Sequence, residues 1–327
     1  MRLTQACFLA VIALLTSTTI LAQELSPKQK LEASAFKKLI LTVSVLPMDR
    51  VELKVSPPMT LVGISAVSAD KVGNLYIIHR PSSPMVDPIV VVDSKGRFLR
   101  SWGKGVFVIP HGIRIDPAGN VWAVDAHTSK VFKFTPSGKK LLEIVVGDVP
   151  NPSEAFCGTT DVAFGRSGHV FVADGYCNAR VIEYAANGKK LRQWGKRGTG
   201  VGEFDHVHSI AISADGILYV ADRENDRLQW FDQNGKALGQ KTFSARLFSV
   251  AIGSSGELYV GLQPLGVPNG TNSTIFRLNP RSGRIQGRVD AFAHQLSIGP
   301  NGTLLPGPRA DSQAVLLLRP RKKLRLP

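Results

Sequence analysis

The chain has 327 residues, 43% of them hydrophobic, and a formal net charge of +15. That length is long for one ordinary domain but normal for a closed ring of repeats, and the apolar share is enough to bury sizeable cores between them. The excess of Lys and Arg raises nucleic-acid binding as a function. However, the basic residues are spread among turns such as GKK, which reads as solvated surface with loose attraction to anionic lipid or cell-wall polymer.

Residues 1–22 read as a secretory leader: Arg2, an apolar stretch from Ala6 to Leu15, and cleavage after Ala22. Thr16, Ser17, Thr18 and Thr19 break the apolar run, which argues against a membrane span. A secreted or periplasmic protein is therefore expected, and Cys7 leaves with the leader. Residues 23–57 form an extension, with a short helix after Ser26 and Pro27 in its first turn. LTVSVLP and VELKVSPP read as strands, either of which could add an outer strand to the last repeat and close a ring.

Residues 58–320 carry the repeat, and residues 321–327 are a basic tail. Six segments share apolar alternation, a polar turn with glycine, and alternation again, with turn glycines at Gly73, Gly119, Gly168, Gly216, Gly256 and Gly302. Period-2 alternation around a glycine turn predicts a β-hairpin. A strand-only period in the forties predicts propeller blades, so the expected fold is all-β, a six-bladed β-propeller. No segment shows the sustained 3.6-residue apolar stripe that a helical array needs. Asn269, Asn272 and Asn301 begin N-x-S/T sequons, which matter only in a eukaryotic secretory route.

Eight residues before the turn glycines lie Ser65, His111, Thr160, His208, Phe248 and His294. Histidine thus holds one register in blades 2, 4 and 6. Alternate blades of a six-fold ring point at its axis from three sides. Three imidazoles converging this way leave a coordination position open, the layout of a catalytic zinc. The alternative is three separate channel-lining histidines that bind water. His79, His127, His169 and His206 fall outside the register, and ordinary surface or hydrogen-bonding roles are expected for them.

A second register follows each turn. Asp125, Asp174 and Asp222 recur in blades 2 to 4, which suggests carboxylates accepting backbone N–H bonds at a turn. One residue later come Arg80 in blade 1 and Arg223 in blade 4, on opposite sides of the ring. Two guanidinium groups facing a metal across a channel could hold a substrate carboxylate. They could equally be exposed arginines of a basic protein.

The stretches FCGTTDVAFGRSGHVFVADGYCNARVIEY and FDHVHSIAISADGILYVADRENDRLQWF resemble the peptidyl-α-hydroxyglycine α-amidating lyases, members of the NHL-type propellers. The likeness runs over most of the chain after the leader, and DGYCNAR and ADRENDR are its specific motifs. It implies a six-bladed propeller with zinc on His111, His208 and His294, an active-site Tyr176, and active-site Arg80 and Arg223. It implies a disulfide between Cys157 and Cys177, which remain after Cys7 is removed and would pair in an oxidising compartment or stay as free thiols. It also implies a structural calcium on the backbone carbonyls of Val67 and Ile113 and on an aspartate where this chain has Gln295. The amide brings no charge, so calcium affinity should fall. A second family disulfide is absent, with Tyr219 and Trp230 in its places, and the last blade lacks the usual strand-ending aspartate.

The reaction implied is cleavage of the carbinolamide C–N bond of a peptide ending in α-hydroxyglycine, giving an amide and glyoxylate. The substrate expected is a small molecule or peptide with a terminal carboxylate, and the expected state is a monomer. Tyr176 would pass the proton, with a phenol pKa depressed by zinc and two arginines. Two other classes remain open: a non-catalytic NHL binding module, and another metal-dependent propeller enzyme such as a lactone hydrolase. Against the latter stands a ligand set made only of histidine.

Overall fold

The computed structural model describes residues 25–56, 58–147, 151, 153–265, 273–307 and 314–321. The leader with Cys7, the sequons at Asn269 and Asn272, and tail residues 322–327 lie outside the described residues.

Six four-stranded antiparallel sheets form a six-bladed β-propeller. Blade 1 runs through Ala66–Ala69, Leu75–Ile78, Ile89–Val92 and Phe98–Trp102. Blade 2 uses Pro110–Ile115, Val121–Asp125, Lys130–Phe134 and Lys140–Val145. Blades 3 to 5 repeat this order from Asp161–Phe164, Val207–Ile212 and Arg246–Ile252. Each inner hairpin turns as its glycine requires. In blade 2, Asp116 and Asn120 close the loop through Asp116 N–H to Asn120 C=O at 2.9 Å, and Gly119 takes φ +89°.

Blade 6 is built from both ends of the described chain. Leu296–Ile298, Leu304–Pro306 and Ala314–Pro320 supply three strands, and Met48–Lys54 pairs antiparallel with the last from Met48 opposite Pro320 to Lys54 opposite Ala314. The edge of Ala314–Pro320 is thereby hidden. LTVSVLP is no strand. Leu41 and Thr42 end the helix Pro27–Thr42, and Val45 makes only an isolated bridge to Arg288. The capping box between Ser26 and Gln29 starts that helix, and its one buried side chain, Phe36, claims the segment by packing against Phe276 at 6.1 Å between ring centroids.

The core lies between blades. Among the described residues, six apolar clusters each mix side chains from two neighbouring blades. Tyr76 and Ile89 of blade 1 meet Phe132 and Phe134 of blade 2, and Val67 and Ile77 of blade 1 meet Leu305 and Leu317 of blade 6. At roughly 1.5–3 kcal/mol for each large apolar side chain buried, no blade is stable without its neighbours. This closure holds the innermost strands, and the side chains at their starts, around one axis.

Candidate active site

His111 starts the inner strand of blade 2, His208 that of blade 4, and His294 precedes that of blade 6. The three meet at the axis, with ring centroids 4.9–5.2 Å apart. One ligand nitrogen from each lies within 4.8 Å of the others, and the set is buried except for part of His294. Each Nδ1 faces a backbone carbonyl: His111 that of Thr160 at 2.7 Å, His208 that of Phe248 at 2.6 Å, and His294 that of Ser65 at 3.0 Å. A carbonyl only accepts, so each Nδ1 carries the proton and each Nε2 keeps its lone pair. Burial, then neighbouring positive groups, holds His111 and His208 well below the usual histidine range. Burial and Arg80 bring His294 down to about 3. Three neutral imidazoles with fixed tautomers and convergent lone pairs fit a zinc ion with room for a further ligand.

Tyr176 follows the second strand of blade 3. Its Oη lies 2.8 Å from His111 Nε2 and 3.3 Å from His208 Nε2. The loop is pinned by the Cys157–Cys177 disulfide, with Cα atoms 4.6 Å apart. The expected depression of the phenol pKa rests on zinc together with the two arginines; among the protein's own groups, burial has the larger effect. Burial raises it above 10.0, outweighing the charges of Arg223 and Arg80 and the Arg223 hydrogen bond.

Arg80 and Arg223 both reach this chamber. Arg80 is anchored by Nε to the Pro110 carbonyl at 3.1 Å and by Nη2 to Ser65 Oγ at 2.9 Å, and its guanidinium lies over the Phe156 ring at 5.3 Å. Arg223 pairs with Glu224 at 2.8 Å and lies over Tyr176 at 5.7 Å and Phe248 at 5.3 Å. Burial pulls the Arg80 pKa down, but a guanidinium stays charged at neutral pH. The chamber thus holds two fixed cations, three imidazoles, a phenol and an aromatic wall of Phe156, Phe248 and Phe292.

The other predicted residues have separate places. Asp174 accepts from the Asn178 and Arg180 side chains. Asp125 accepts the N–H groups of Val108 and Ile109, and Asp222 that of Asp205, so these two aspartates tie blades 2 and 4 to the segments entering them. Buried His79 does the same in blade 1, accepting from Val62 N–H at 3.2 Å. His127 and His169 bond the Ala155 carbonyl and Glu183. Tyr219 and Trp230 face each other across two strands, with rings 6.4 Å apart. His206 is the histidine whose place the register missed: its ring lies 6.3 Å from that of Tyr176. Its position two residues before His208 was the available signal.

Of the proposed calcium positions, Val67 and Ile113 lie on inner strands and Gln295 directly precedes one, and a cation is already beside Gln295. Arg114 Nη2 meets Gln295 Oε1 at 3.2 Å, and Gln295 Nε2 donates to the His208 carbonyl at 3.2 Å. Val67 and Ile113 bury their side chains in two inter-blade clusters. A divalent ion beside a guanidinium would be repelled, so the residues present do not fit calcium.

The pattern of the NHL repeat matches residues 204–231, the segment containing His208 and Arg223. The chain is 35% identical over 222 residues to peptidyl-glycine alpha-amidating monooxygenase of Mus musculus, covering 58% of this chain and 23% of that protein. It is 32% identical over 251 residues to peptidyl-alpha-hydroxyglycine alpha-amidating lyase 2 of Drosophila melanogaster, covering 71% of this chain and 60% of that one. The chain therefore spans about a quarter of the length of the mouse relative and under two thirds of the fly one. A Staphylococcus aureus virginiamycin B lyase superposes with a TM-score of 0.57 at 17% identity, over 85% of this chain and 90% of that one, which shows a shared fold.

Proposed function

We propose that this chain, an NHL-repeat propeller related to the peptidyl-α-hydroxyglycine α-amidating lyases, is a zinc-dependent carbon–nitrogen lyase acting on α-hydroxyglycine amides. The observation that carries the reading is Tyr176 Oη within 2.8 and 3.3 Å of two of three convergent histidine Nε2 atoms. Two arginines flank that point from opposite blades.

The substrate class follows from the charges. A small peptide or acyl amide ending in –NH–CH(OH)–COO⁻ offers a carboxylate to Arg80 and Arg223 and an apolar acyl part to Phe156 and Phe292. The reaction moves one proton from the hydroxyl oxygen to the amide nitrogen as the C–N bond breaks and the carbon becomes the aldehyde of glyoxylate. One group that first accepts and then donates is enough, and Tyr176 holds that place. Zinc on His111, His208 and His294 would supply a Lewis acid that makes the hydroxyl more acidic. Its charge would also oppose the burial that keeps the phenol protonated. The arginines neutralise the carboxylate and shield the product as it forms.

Export to an extracellular or periplasmic compartment suits the Cys157–Cys177 disulfide. No described helix is long and apolar enough to cross a membrane. With each inter-blade face already covered by its neighbour, the ring asks for no second copy, and we assign a monomer. The test is release of glyoxylate and benzamide from α-hydroxyhippurate, before and after chelation and with zinc restored. Zinc-restored turnover is expected. Bound zinc without turnover on any α-hydroxyglycine amide would sink the lyase reading, and neither zinc nor turnover would leave a binding propeller.

A further inference from the structure

Directly beside the histidine layer, Arg114 forms the most connected polar group among the described residues of the channel. Its Nε and Nη2 grip both oxygens of buried Asp161 at 2.8 and 2.6 Å. Its Nη1 donates to the Leu296 carbonyl at 2.6 Å and to Ser297 Oγ at 2.7 Å, and Nη2 also reaches Gln295 Oε1 at 3.2 Å and Ser209 Oγ at 3.5 Å. Asp161 in turn accepts from Ser209 Oγ at 2.8 Å and from Ile210 N–H at 3.2 Å. One guanidinium therefore joins blades 2, 3, 4 and 6.

Its partners are also next in sequence to the site. Ser209 follows His208, and Gln295 follows His294. Asp161 follows Thr160, whose carbonyl orients His111. Arg114 lies three residues beyond His111 on the same strand. Each of the three histidine-bearing segments is thus fixed within a few residues of its ligand.

We propose that Arg114 is a built-in cation: a positioning residue that holds the three histidine segments in register and does at the channel centre the neutralising work of a structural divalent ion. The chain then needs no calcium. A planar guanidinium suits the place because it bonds Asp161 with two parallel N–H groups and still has donors for two other segments, at Ser209 and at 295–297. Ca²⁺ would need six to eight oxygens, whereas here the Asp161 carboxylate, the Leu296 carbonyl and the Gln295 amide oxygen already accept from Arg114. The positioning part rests on the proposed zinc reading; the calcium part does not.

The experiment compares the purified chain with Arg114→Met and with Arg114→Met/Asp161→Asn. Melting of the unaltered chain should be identical in EGTA and in millimolar CaCl2, and elemental analysis should find no calcium. A Tm that rises with calcium, or one calcium retained per chain, would overturn the proposal. Arg114→Met leaves Asp161 buried and unpaired, so Tm should fall on the order of 10 °C. Zinc affinity, read by competition with a chromophoric chelator, should weaken about 10- to 100-fold, as for loss of an outer-sphere partner. The double variant should recover much of the Tm but not the zinc affinity, which a merely structural role would restore together. If Arg114→Met does not fold, the double variant alone decides: unaltered zinc affinity there overturns the positioning role. If the unaltered chain binds no zinc, the proposed function falls while the calcium and melting arms still decide whether Arg114 is the pin.

Discussion

His111 Nδ1 lies 2.7 Å from the carbonyl oxygen of Thr160, the residue that holds the same register one blade further on. The pattern repeats around the ring: His208 uses Phe248 and His294 uses Ser65. The three blades without histidine are therefore not idle. Their backbone selects the tautomer that turns each Nε2 lone pair to the axis. Any side chain can provide that carbonyl, which explains why Ser, Thr and Phe share the position.

Removing one ligand should show the trio to be a unit. For His208→Ala we expect zinc affinity to fall by more than the roughly 100-fold upper range for outer-sphere losses. Chelator competition measures it. Stoichiometric zinc held as tightly as in the unaltered chain would contradict a three-histidine site.

Tyr176→Phe keeps the ring and its packing but deletes the hydroxyl that contacts His111 and His208. Turnover of α-hydroxyhippurate should drop about 10²- to 10⁴-fold, the usual worth of a positioned acid–base group. Zinc content should stay at one per chain. A variant with near-normal kcat would remove Tyr176 from the chemistry.

Arg80→Met should act on substrate binding. Loss of a charge-assisted bond to the carboxylate, about 1.5–3 kcal/mol, raises KM roughly 10- to 100-fold. An α-hydroxyglycine amide whose carboxylate is capped should distinguish poorly between variant and parent. Equal losses on both substrates would mean that Arg80 only supports Ser65 and Pro110.

The paired replacement of Cys157 and Cys177 by serine opens a loop of sequence separation 20. Unfolding by denaturant should show a loss of about 3 kcal/mol. Turnover should fall further than stability requires, because Phe156 and Tyr176 adjoin the two cysteines and touch each other at 5.2 Å between ring centroids. Zinc content should not change.

Asp226 offers a test of pH dependence away from the site. Burial first, then Glu32 and Glu224, push its carboxyl from 3.8 up to about 7. Between those values the folded chain keeps a proton that the unfolded chain has released. Its contribution is therefore complete below about pH 4 and is lost as pH rises through 7. Asp226→Asn removes that slope, and asparagine tolerates the φ of +53° found here. We expect Tm to rise roughly 5 °C at pH 8, and much less at pH 4. A variant that melts below the parent at pH 8 would refute this.

The Tyr176 phenol shows where reading the chain stops. Two arginines argue for a low pKa, and Arg80 and Arg223 do lower it. How deeply the ring is buried cannot be read from DGYCNAR, and burial outweighs both charges. His206 lay outside the histidine register, yet the segment just before strand Val207–Ile212 delivers it beside Tyr176.

Alternation and turn glycines are local properties, repeated along one chain. The sequence by itself therefore determined the blade type, the number of blades and the register on which His111, His208 and His294 stand. Tertiary structure decided what depends on neighbours distant along the chain. Arg114 finds its partners 47 to 183 residues away, and Met48–Lys54 finds its pairing strand at the opposite end. Charge and burial at such junctions are set by which blades meet, and only the closed ring brings those groups within range of one another.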